Sequence, residues 1–407
     1  MSNPPPPFRS TVEESLSIPD NSDQLSTTSS TRRWDDPPEE LPPLHHASSS
    51  TNNHHHPNIS SQPEIENITS MVFIKSLAAK HPYNSEICTL QFSPCDTYLA
   101  ALIPRTVNIR TFHPDEPATI SIINIRDGSK GFKLQQPSYN LRASGGFAFK
   151  PSSLSTGELV IACPFFSKSD GSGEVAGYVP KIEIYDVTRK VRWTKHDLPL
   201  RAPICFSPDG NMLGGVSTRD NSRIVLCNVR KESCSVRTMV LKHTEEVTKV
   251  KFMGDGLKLV SAGRDGYVRI TSLESGRTLN RVEIAGRPGG CNILEVAGDR
   301  VVSVWGRDVV IWDLNGGQER VHSYNLNSVR GNGVNEGWPL AVSPDCRYIV
   351  CRTEEGFDVS DVETGRFRGD FCTAGSVVTC AAFTRDGKKI AIGNYDGQLQ
   401  VYDVVTV

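Results

Sequence analysis

The stretch LVSAGRDGYVRITSLESG, residues 259–276, has the pattern of a β-hairpin. Apolar residues alternate on both sides of the dipeptide Asp265-Gly266, which is a favoured tip for a tight turn between antiparallel strands. Related strand–turn–strand units recur along the chain from residue 81 onward. The sequence is therefore predicted to consist of repeats of one antiparallel unit.

The turn that precedes each of these hairpins can be followed through seven repeats. Proline, aspartate and glycine recur in it, and these residues favour a reversal of chain direction. The turns are SPCD 93–96, KPSS 150–153, SPDG 207–210, MGDG 253–256, AGDR 297–300, SPDC 343–346 and TRDG 384–387. Successive turns are 57, 57, 46, 44, 46 and 41 residues apart. Because propeller blades run about 40–45 residues, the last four intervals fit a propeller and the first two indicate insertions.

The ends of the third strands share one register in all seven repeats. The polar residues at this register are Asn124, Asp186, Asn228, Ser272, Asp313, Asp361 and Asp403. One repeat, at Trp312-Asp313, has a tryptophan immediately before the polar residue. From about residue 70 to 407 the sequence resembles a seven-bladed WD-repeat β-propeller. The resemblance implies an all-β fold of seven four-stranded antiparallel blades, preceded by a disordered N-terminal tail.

The fourth repeat carries polar residues at the structural positions of the family's pattern. The resemblance implies that His243, Ser261 and Asp265 form a buried hydrogen-bond network with a tryptophan that ties the strands together. Thr271 stands where that tryptophan is expected, so the network should lack the indole donor and be weaker. A Ser–His–Asp set also suggests a nucleophilic triad, but buried groups cannot meet a substrate. We therefore interpret these three residues as structural.

Residues 1–68 differ in composition from the rest of the chain. Three arginines and ten acidic residues give them a net charge of −7, whereas the remainder sums to +5. PPPP 4–7, STTSST 26–31 and DDPPEELPPL 35–44 are low-complexity segments that are too polar to offset the entropy of ordering. The sequence predicts a disordered acidic tail over 1–68 and a propeller over 69–407. The tail is a candidate polyproline ligand or phosphorylated serine tract.

The overall composition narrows the classes of partner and the compartment. The mild positive charge of the propeller lacks the concentrated basic patch of a nucleic-acid-binding protein. No apolar run approaches the roughly 18 residues of a membrane span, and MSNPPPPFRS does not resemble a secretory signal. The eleven cysteines form no C-x-x-C pair, which is typical of reduced, buried thiols. We expect a cytoplasmic protein with access to the nucleus, and neither a metal nor a cofactor.

The seventh repeat ends after its third strand, so its blade lacks an outer strand. The apolar stretch SMVFIKSLA, residues 70–78, precedes the first repeat and has a strand-like pattern. The closure used by the family would insert this segment as the missing strand, which removes two exposed sheet edges. The two ends of the repeat array are thus expected to meet in one blade.

The turns between second and third strands carry the candidate partner-binding residues. They read TRD 218–220, GRD 263–265, GRD 306–308, RTEE 352–355 and NYD 394–396. The resemblance implies that these turns open onto one face and often contact partners, and arginine and tyrosine are favoured at interface hot spots. Together with Trp338, the candidates are Arg219, Arg264, Arg307, Arg352 and Tyr395. Alternatively, the arginines pair only with the aspartates of their own turns, Asp220, Asp265 and Asp308.

The leading hypothesis is a non-catalytic scaffold that binds a protein or peptide, acidic or phosphorylated, within a multiprotein complex. A lactonase-like propeller hydrolase is an alternative, but it needs a cluster of metal-binding or polar groups that the sequence lacks outside the tail. A phosphoinositide-binding propeller is another. RFRGDF 366–371 resembles the paired-arginine motif of such proteins but has only Arg368 between Phe367 and Gly369. The long, Gly-rich insertion 164–180 is a further candidate contact element.

Overall fold

A computed structural model gives the fold of the chain. It describes residues 68–78, 86–103, 118–136, 146–151, 158–168, 178–192, 198–229, 234–284, 289–314, 320–326, 337–373 and 376–406. The chain divides into two units, Met1–Gln62 and Pro63–Val407. The first unit, and with it nearly all of the predicted tail, lies outside the described residues.

The described residues of the second unit form seven antiparallel sheets of four strands each. The first blade contains β2 (Thr89–Phe92), β3 (Tyr98–Ile103), β4 (Ala118–Asn124) and β5 (Lys130–Gln136). The second contains β6 (Ala148–Phe149), β7 (Val160–Lys168), β8 (Tyr178–Asp186) and β9 (Val191–Arg192). The third contains β10 (Leu200–Phe206), β11 (Met212–Ser217), β12 (Arg223–Val229) and β13 (Cys234–Lys242).

The remaining four blades have the same organisation. The fourth contains β14 (Val247–Phe252), β15 (Lys258–Gly263), β16 (Tyr267–Ser272) and β17 (Thr278–Glu283). The fifth contains β18 (Ile293–Ala297), β19 (Arg300–Trp305), β20 (Asp308–Asp313) and β21 (Arg320–Asn325). The sixth contains β22 (Trp338–Val342), β23 (Tyr348–Arg352), β24 (Gly356–Asp361) and β25 (Phe367–Cys372). The seventh contains β26 (Val378–Phe383), β27 (Lys389–Asn394), β28 (Gln398–Thr406) and β1 (Ile68–Ala78). The prediction of an all-β, seven-bladed propeller is confirmed.

The seventh blade is assembled from both ends of the propeller. β1 pairs antiparallel with β28 along its whole length, from Ile68 opposite Thr406 to Ala78 opposite Gln398. β28 is thereby covered on both edges, because β27 pairs with its other side. The N-terminal strand thus removes the open edge that the last repeat would otherwise present.

The turn between first and second strands is held by its leading hydroxyl. In SPDG, Ser207 Oγ donates to Asp209 and accepts the backbone N–H of Met212 at 2.9 Å. The same pair of bonds recurs in the sixth and seventh blades at Ser343 and Thr384. The fourth turn residue is left-handed at Gly210, where φ is +69°. A glycine there avoids the steric cost that a Cβ would meet.

In four blades the recurring polar residue at the end of the third strand caps the next turn. Asp186, Ser272 and Asp361 each accept the backbone N–H three residues later, at 2.9, 3.2 and 2.9 Å. Asn124 accepts the N–H two residues later at 2.9 Å. Asx and Ser turns of this kind satisfy backbone donors that the strand ladder leaves unpaired. In these four blades the shared register therefore reflects turn capping.

Apolar side chains of neighbouring blades pack against each other around the ring. Between the third and fourth blades, for example, Val216 and Leu226 share a buried cluster with Phe252 and Leu259. A similar cluster joins the first blade to the seventh, where Leu99 packs with Leu399 and Val401. Because such face-to-face packing buries apolar area at every blade boundary, it supplies the main stabilisation of the ring.

Candidate functional site

Five of the candidate partner-binding residues lie where the second strand of a blade leads into the third. Arg219 lies between β11 and β12, Arg264 between β15 and β16, Arg307 between β19 and β20, Arg352 at the end of β23, and Tyr395 between β27 and β28. Every blade has the same strand order, and the first strands contact one another at six of the seven boundaries between blades. These turns therefore open at one end of the propeller, which we call the upper face. The opposite end, where third strands lead into fourth strands, is the lower face.

Arg219 is exposed on the upper face, and its backbone N–H donates to Ser217 Oγ at 3.2 Å. The neighbouring Asp220 does not pair with it. Asp220 instead accepts from Arg223 Nε at 2.7 Å and from the Ser222 hydroxyl at 2.7 Å. The proposed pairing of Arg219 with the aspartate of its own turn is thus absent, and its guanidinium forms no ion pair with any described residue.

Arg264 binds a glutamate rather than the aspartate that follows it. Its Nε donates to Glu246 Oε2 at 2.9 Å. The other oxygen of Glu246 accepts from Arg201 Nη2, 3.4 Å away on β10 of the preceding blade. The carboxylate therefore links two blades through two guanidinium groups. Much of the positive charge of Arg264 is offset locally.

Arg307 and Trp338 meet across the boundary between the fifth and sixth blades. The guanidinium carbon of Arg307 lies 6.0 Å from the centroid of the Trp338 ring, a cation–π arrangement. Trp338 begins β22 and is the Cα partner of Arg352 on β23. Its side chain is 39% exposed. An exposed indole is thus flanked by arginines from two blades.

Tyr395 adds a second exposed ring on the seventh blade, where it is 57% exposed. Its backbone N–H donates to the carbonyl of Val377 at 2.9 Å. Val377 itself is 51% exposed and immediately precedes β26. Sequence reasoning missed Val377, because a valine before a strand gives no signal of exposure. The upper face therefore carries exposed apolar side chains on two adjacent blades.

The predicted hydrogen-bond network of the fourth blade has well-defined geometry. His243 Nδ1 lies 2.9 Å from Asp265 Oδ1, and His243 Nε2 lies 2.9 Å from Ser261 Oγ. A carboxylate only accepts hydrogen bonds, so Nδ1 carries the proton, and Nε2 of the neutral ring accepts from the serine hydroxyl. All three side chains are buried. With no route to a substrate, they tie together strands β15 and β16 and the segment before β14.

Burial and hydrogen bonding shift the pKa of both titratable members of this network. Burial lowers the pKa of His243 from 6.5, although Asp265 acts in the opposite direction. Burial alone would raise the pKa of Asp265, but hydrogen bonds from His243 and from the Thr244 backbone outweigh it and lower the pKa. The network is therefore a neutral imidazole beside a carboxylate.

Arg269 belongs to this network although sequence reasoning did not include it. Its Nη2 donates to Asp265 Oδ2 at 2.8 Å, and its guanidinium lies 5.3 Å from the centroid of the Tyr267 ring. The side chain of Arg269 projects from β16 two residues before Thr271, on the same face of the strand. The expectation of a weaker network is therefore modified, because an arginine donates to the aspartate in the blade that lacks the indole.

The tryptophan of Trp312-Asp313 does not form a comparable network. Trp312 is buried, yet its indole N–H has no hydrogen-bond partner among the described residues. In the same blade the indole of Trp305 donates to Ser303 Oγ at 3.1 Å. Asp313 accepts two bonds from Arg300, at 2.7 and 3.0 Å. In the blade with the most typical sequence pair, the aspartate thus forms hydrogen bonds and the tryptophan contributes apolar packing.

Other candidate elements are only partly described. The insertion 164–180 extends the β7–β8 hairpin as far as Lys168 opposite Tyr178, and residues 169–177 lie outside the described residues. Arg368 of the RFRGDF stretch donates to Asp361 at 3.1 Å. In the part of the chain that the structure describes, no three His, Cys, Asp or Glu side chains are grouped to hold a metal ion. No helix in that part has the length and hydropathy needed to cross a bilayer.

Comparison with known proteins agrees with this architecture. The family described as "WD domain, G-beta repeat" matches residues 234–272 and 363–403, which fall mainly in the fourth and seventh blades. The chain is a WD-repeat β-propeller. The β-propeller domain of Cps50 (Swd1) from Myceliophteria thermophila superposes with a TM-score of 0.56. That match covers 84% of this chain and 100% of the other at 15% identity, so the likeness concerns the fold alone.

The chain is also similar in sequence to three other proteins, two of which are named as WD repeat-containing. This WD-repeat propeller is 24% identical over 212 residues to periodic tryptophan protein 2 of Arabidopsis thaliana, which covers 50% of the chain and 22% of the relative. It is 26% identical over 99 residues to WD repeat-containing protein SL1-17 of Schistosoma mansoni, a match that covers 24% of this chain and 31% of the relative. It is 31% identical over 75 residues to the WD repeat-containing protein 55 homolog of Aedes aegypti, a match that covers 18% of this chain and 15% of the relative. The matches span less than a third of each relative.

Proposed function

We propose that this WD-repeat propeller is a non-catalytic scaffold that binds a protein or peptide partner on its upper face. The observation that supports this most directly is the convergence of Arg219, Trp338 and Tyr395, all exposed, at one end of the ring. Arginine, tryptophan and tyrosine are the residues most enriched at interface hot spots. A rigid ring that carries such residues on its turns can bind a partner without catalysing a reaction.

A scaffold role is also consistent with the chemistry of the polar residues in the fourth blade. His243, Ser261 and Asp265 are hydrogen-bonded to one another, and their side chains are shielded from solvent. They contribute to the stability of the blade that displays Arg264. We further propose that the protein works in the cytoplasm, with access to the nucleus, as part of a multiprotein complex.

The test compares two triple variants with the same change in charge. The upper-face variant combines Arg219→Glu, Arg264→Glu and Arg307→Glu. The lower-face control combines Arg277→Glu, Arg320→Glu and Arg366→Glu, three exposed arginines beside the outer strands of the fourth, fifth and sixth blades. Each protein is expressed with a tag, and its co-purifying proteins are quantified by mass spectrometry.

The upper-face variant is expected to lose most co-purifying proteins, whereas the control retains them. Both variants should keep their fold, because an exposed ion pair such as Arg264–Glu246 contributes only about 0–1 kcal/mol. Thermal melting checks this point. If the upper-face variant melts normally and retains the full set of partners, the proposed function of this face is wrong.

A further inference from the structure

The described part of the upper face has two chemically different halves. The third and fourth blades present Arg219 and Arg264, whereas the sixth and seventh blades present Trp338, Val377 and Tyr395. Arg307 of the fifth blade lies at the boundary, since its guanidinium stacks on the Trp338 ring. Among the described residues of this face, the exposed large apolar side chains therefore lie on the sixth and seventh blades.

This concentration contrasts with the exposed apolar residues elsewhere on the described propeller. Those other residues are Val191, Leu257, Leu279, Val321 and Phe367. They lie toward the lower face, in a turn or at the beginning of outer strands, and are spread over four blades. Single exposed apolar residues of this kind are common on protein surfaces, whereas a group on adjacent elements indicates a binding surface. Trp338 lies on β22 and Val377 directly precedes β26, and these two strands contact each other, while Tyr395 is bonded through its backbone to Val377.

The charges around this apolar group select the chemistry of its occupant. Arg307 lies over one face of Trp338, and Arg352 is the cross-strand partner of the same residue. Arg352 forms no ion pair with any of the described residues, so its charge is available. Glu354, exposed in the turn that follows, opposes a long run of acids. A ligand with one carboxylate beside the indole can pair with Arg352. Such a ligand brings little negative charge near Glu354, so the repulsion stays small.

We propose that Arg307, Trp338, Arg352, Val377 and Tyr395 bind a peptide segment of another protein that has one carboxylate next to a large apolar side chain. The apolar side chain packs against Trp338, Val377 and Tyr395, and the carboxylate accepts hydrogen bonds from Arg352. Charge-assisted bonds and burial of an aromatic anchor are the two contributions that dominate compact interfaces. This inference rests on the proposed function, because it assigns a specific ligand chemistry to part of the same face.

The experiment is a selection from a phage-displayed library of random peptides on the full-length protein. Enriched peptides are synthesised with a fluorophore, and their dissociation constants are measured by fluorescence polarisation. We expect enriched sequences to carry Asp or Glu within two positions of Leu, Ile, Met, Phe or Trp. Trp338→Ala and Arg352→Glu should each weaken binding at least tenfold. The lower-face controls Phe367→Ala and Arg277→Glu should leave the dissociation constant unchanged.

A charge exchange separates a direct contact from an indirect effect. Replacing the peptide carboxylate by lysine should weaken binding to the wild-type protein and restore it to Arg352→Glu. A merely structural role of Arg352 predicts no such restoration. All variants are compared by thermal melting, and Arg352→Gln provides a milder substitution if Arg352→Glu does not fold.

The possible results distinguish this inference from the proposed function. Peptides that bind the Trp338→Ala variant normally but do not bind the Arg219→Glu variant would show that the upper face binds peptides. They would also show that the assignment to the sixth and seventh blades is wrong. Peptides without a carboxylate would likewise overturn the assignment. Peptides that bind every upper-face variant equally, or a selection with no enrichment, would count against both the inference and the proposed function.

Discussion

Asp265 accepts hydrogen bonds from three directions within one turn of the fourth blade. The three shortest bonds come from His243 Nδ1 at 2.9 Å, Arg269 Nη2 at 2.8 Å and the Thr244 backbone at 3.0 Å. Each bond to an ionised group contributes more than a neutral one, provided that the carboxylate stays buried and charged. At the scale of single residues, this carboxylate therefore organises the hairpin that carries Arg264 to the upper face.

The protonation of His243 should make the stability of the protein depend on pH. Its pKa in the folded state is below 6.5, so the unfolded chain binds a proton that the folded protein excludes. Stability is therefore complete above pH 6.5 and decreases as the pH falls below that value. We expect the melting temperature to fall between pH 7.5 and pH 5.5, and to fall less in His243→Gln. Equal slopes in the two proteins would show that His243 is not responsible.

Arg269 should contribute measurably to stability through its bond with Asp265. Arg269→Met keeps much of the aliphatic side chain but removes a charged donor, which should cost about 1–3 kcal/mol. Arg281→Met is the matched control, since Arg281 approaches the same Tyr267 ring at 5.5 Å from the neighbouring strand. Denaturant titration measures the free energy of unfolding of both variants. Equal destabilisation would indicate that the aromatic contact matters and the Asp265 bond does not.

At the scale of strands and turns, the position that ends the first turn requires a left-handed backbone in most blades. Asp96, Gly210, Gly256, Cys346 and Gly387 all have positive φ there, between +53° and +71°. Three of the five are glycine, which adopts this conformation without steric cost. The SPDG-like pattern thus records a backbone requirement that fixes the hairpin of each blade.

Substitution of Gly387 isolates this backbone cost. A Cβ at Gly387 meets no atom within 4 Å, so only its φ of +71° opposes alanine. Gly387→Ala should destabilise the protein by about 1–2 kcal/mol. Gly254→Ala is the control, because that site is equally open but has no positive φ. We expect the control to melt at or slightly above the wild-type temperature. A drop of similar size in both would contradict the explanation.

The sequence predicted the seven blades because each hairpin depends on local signals, namely turn residues and alternating apolar positions. For the same reason it predicted which turns carry the five candidate residues between second and third strands. It did not predict which residues form ion pairs with one another. Arg264 binds Glu246, and Asp313 binds Arg300, through pairs 18 and 13 residues apart that depend on strand register and rotamer. Likewise, the exposure of Val377 depends on how neighbouring blades pack, which no local pattern records.

At the scale of the whole molecule, two sets of contacts join the ends of the ring. One set is the packing of the first blade on the seventh, with Ile87 N–H donating to the Asn394 carbonyl at 3.2 Å and the Arg385 N–H donating to Asp96 at 3.0 Å. The other is the pairing of β1 with β28. The first set persists without the N-terminal strand, whereas the second does not. Truncation can therefore separate them.

Removal of residues 1–66 should leave the propeller folded, because β1 begins at Ile68. Removal of residues 1–80 deletes β1 and leaves the backbone donors and acceptors of β28 unpaired along one edge. Such an edge is both less stable and prone to pair with other chains. We expect the longer truncation to melt at a lower temperature and to aggregate, as measured by differential scanning fluorimetry and light scattering. The upper face should still bind its peptides in the shorter truncation, since that truncation removes none of the residues assigned to the peptide site. Identical melting of the two truncated proteins would show that the inserted strand does not stabilise the ring.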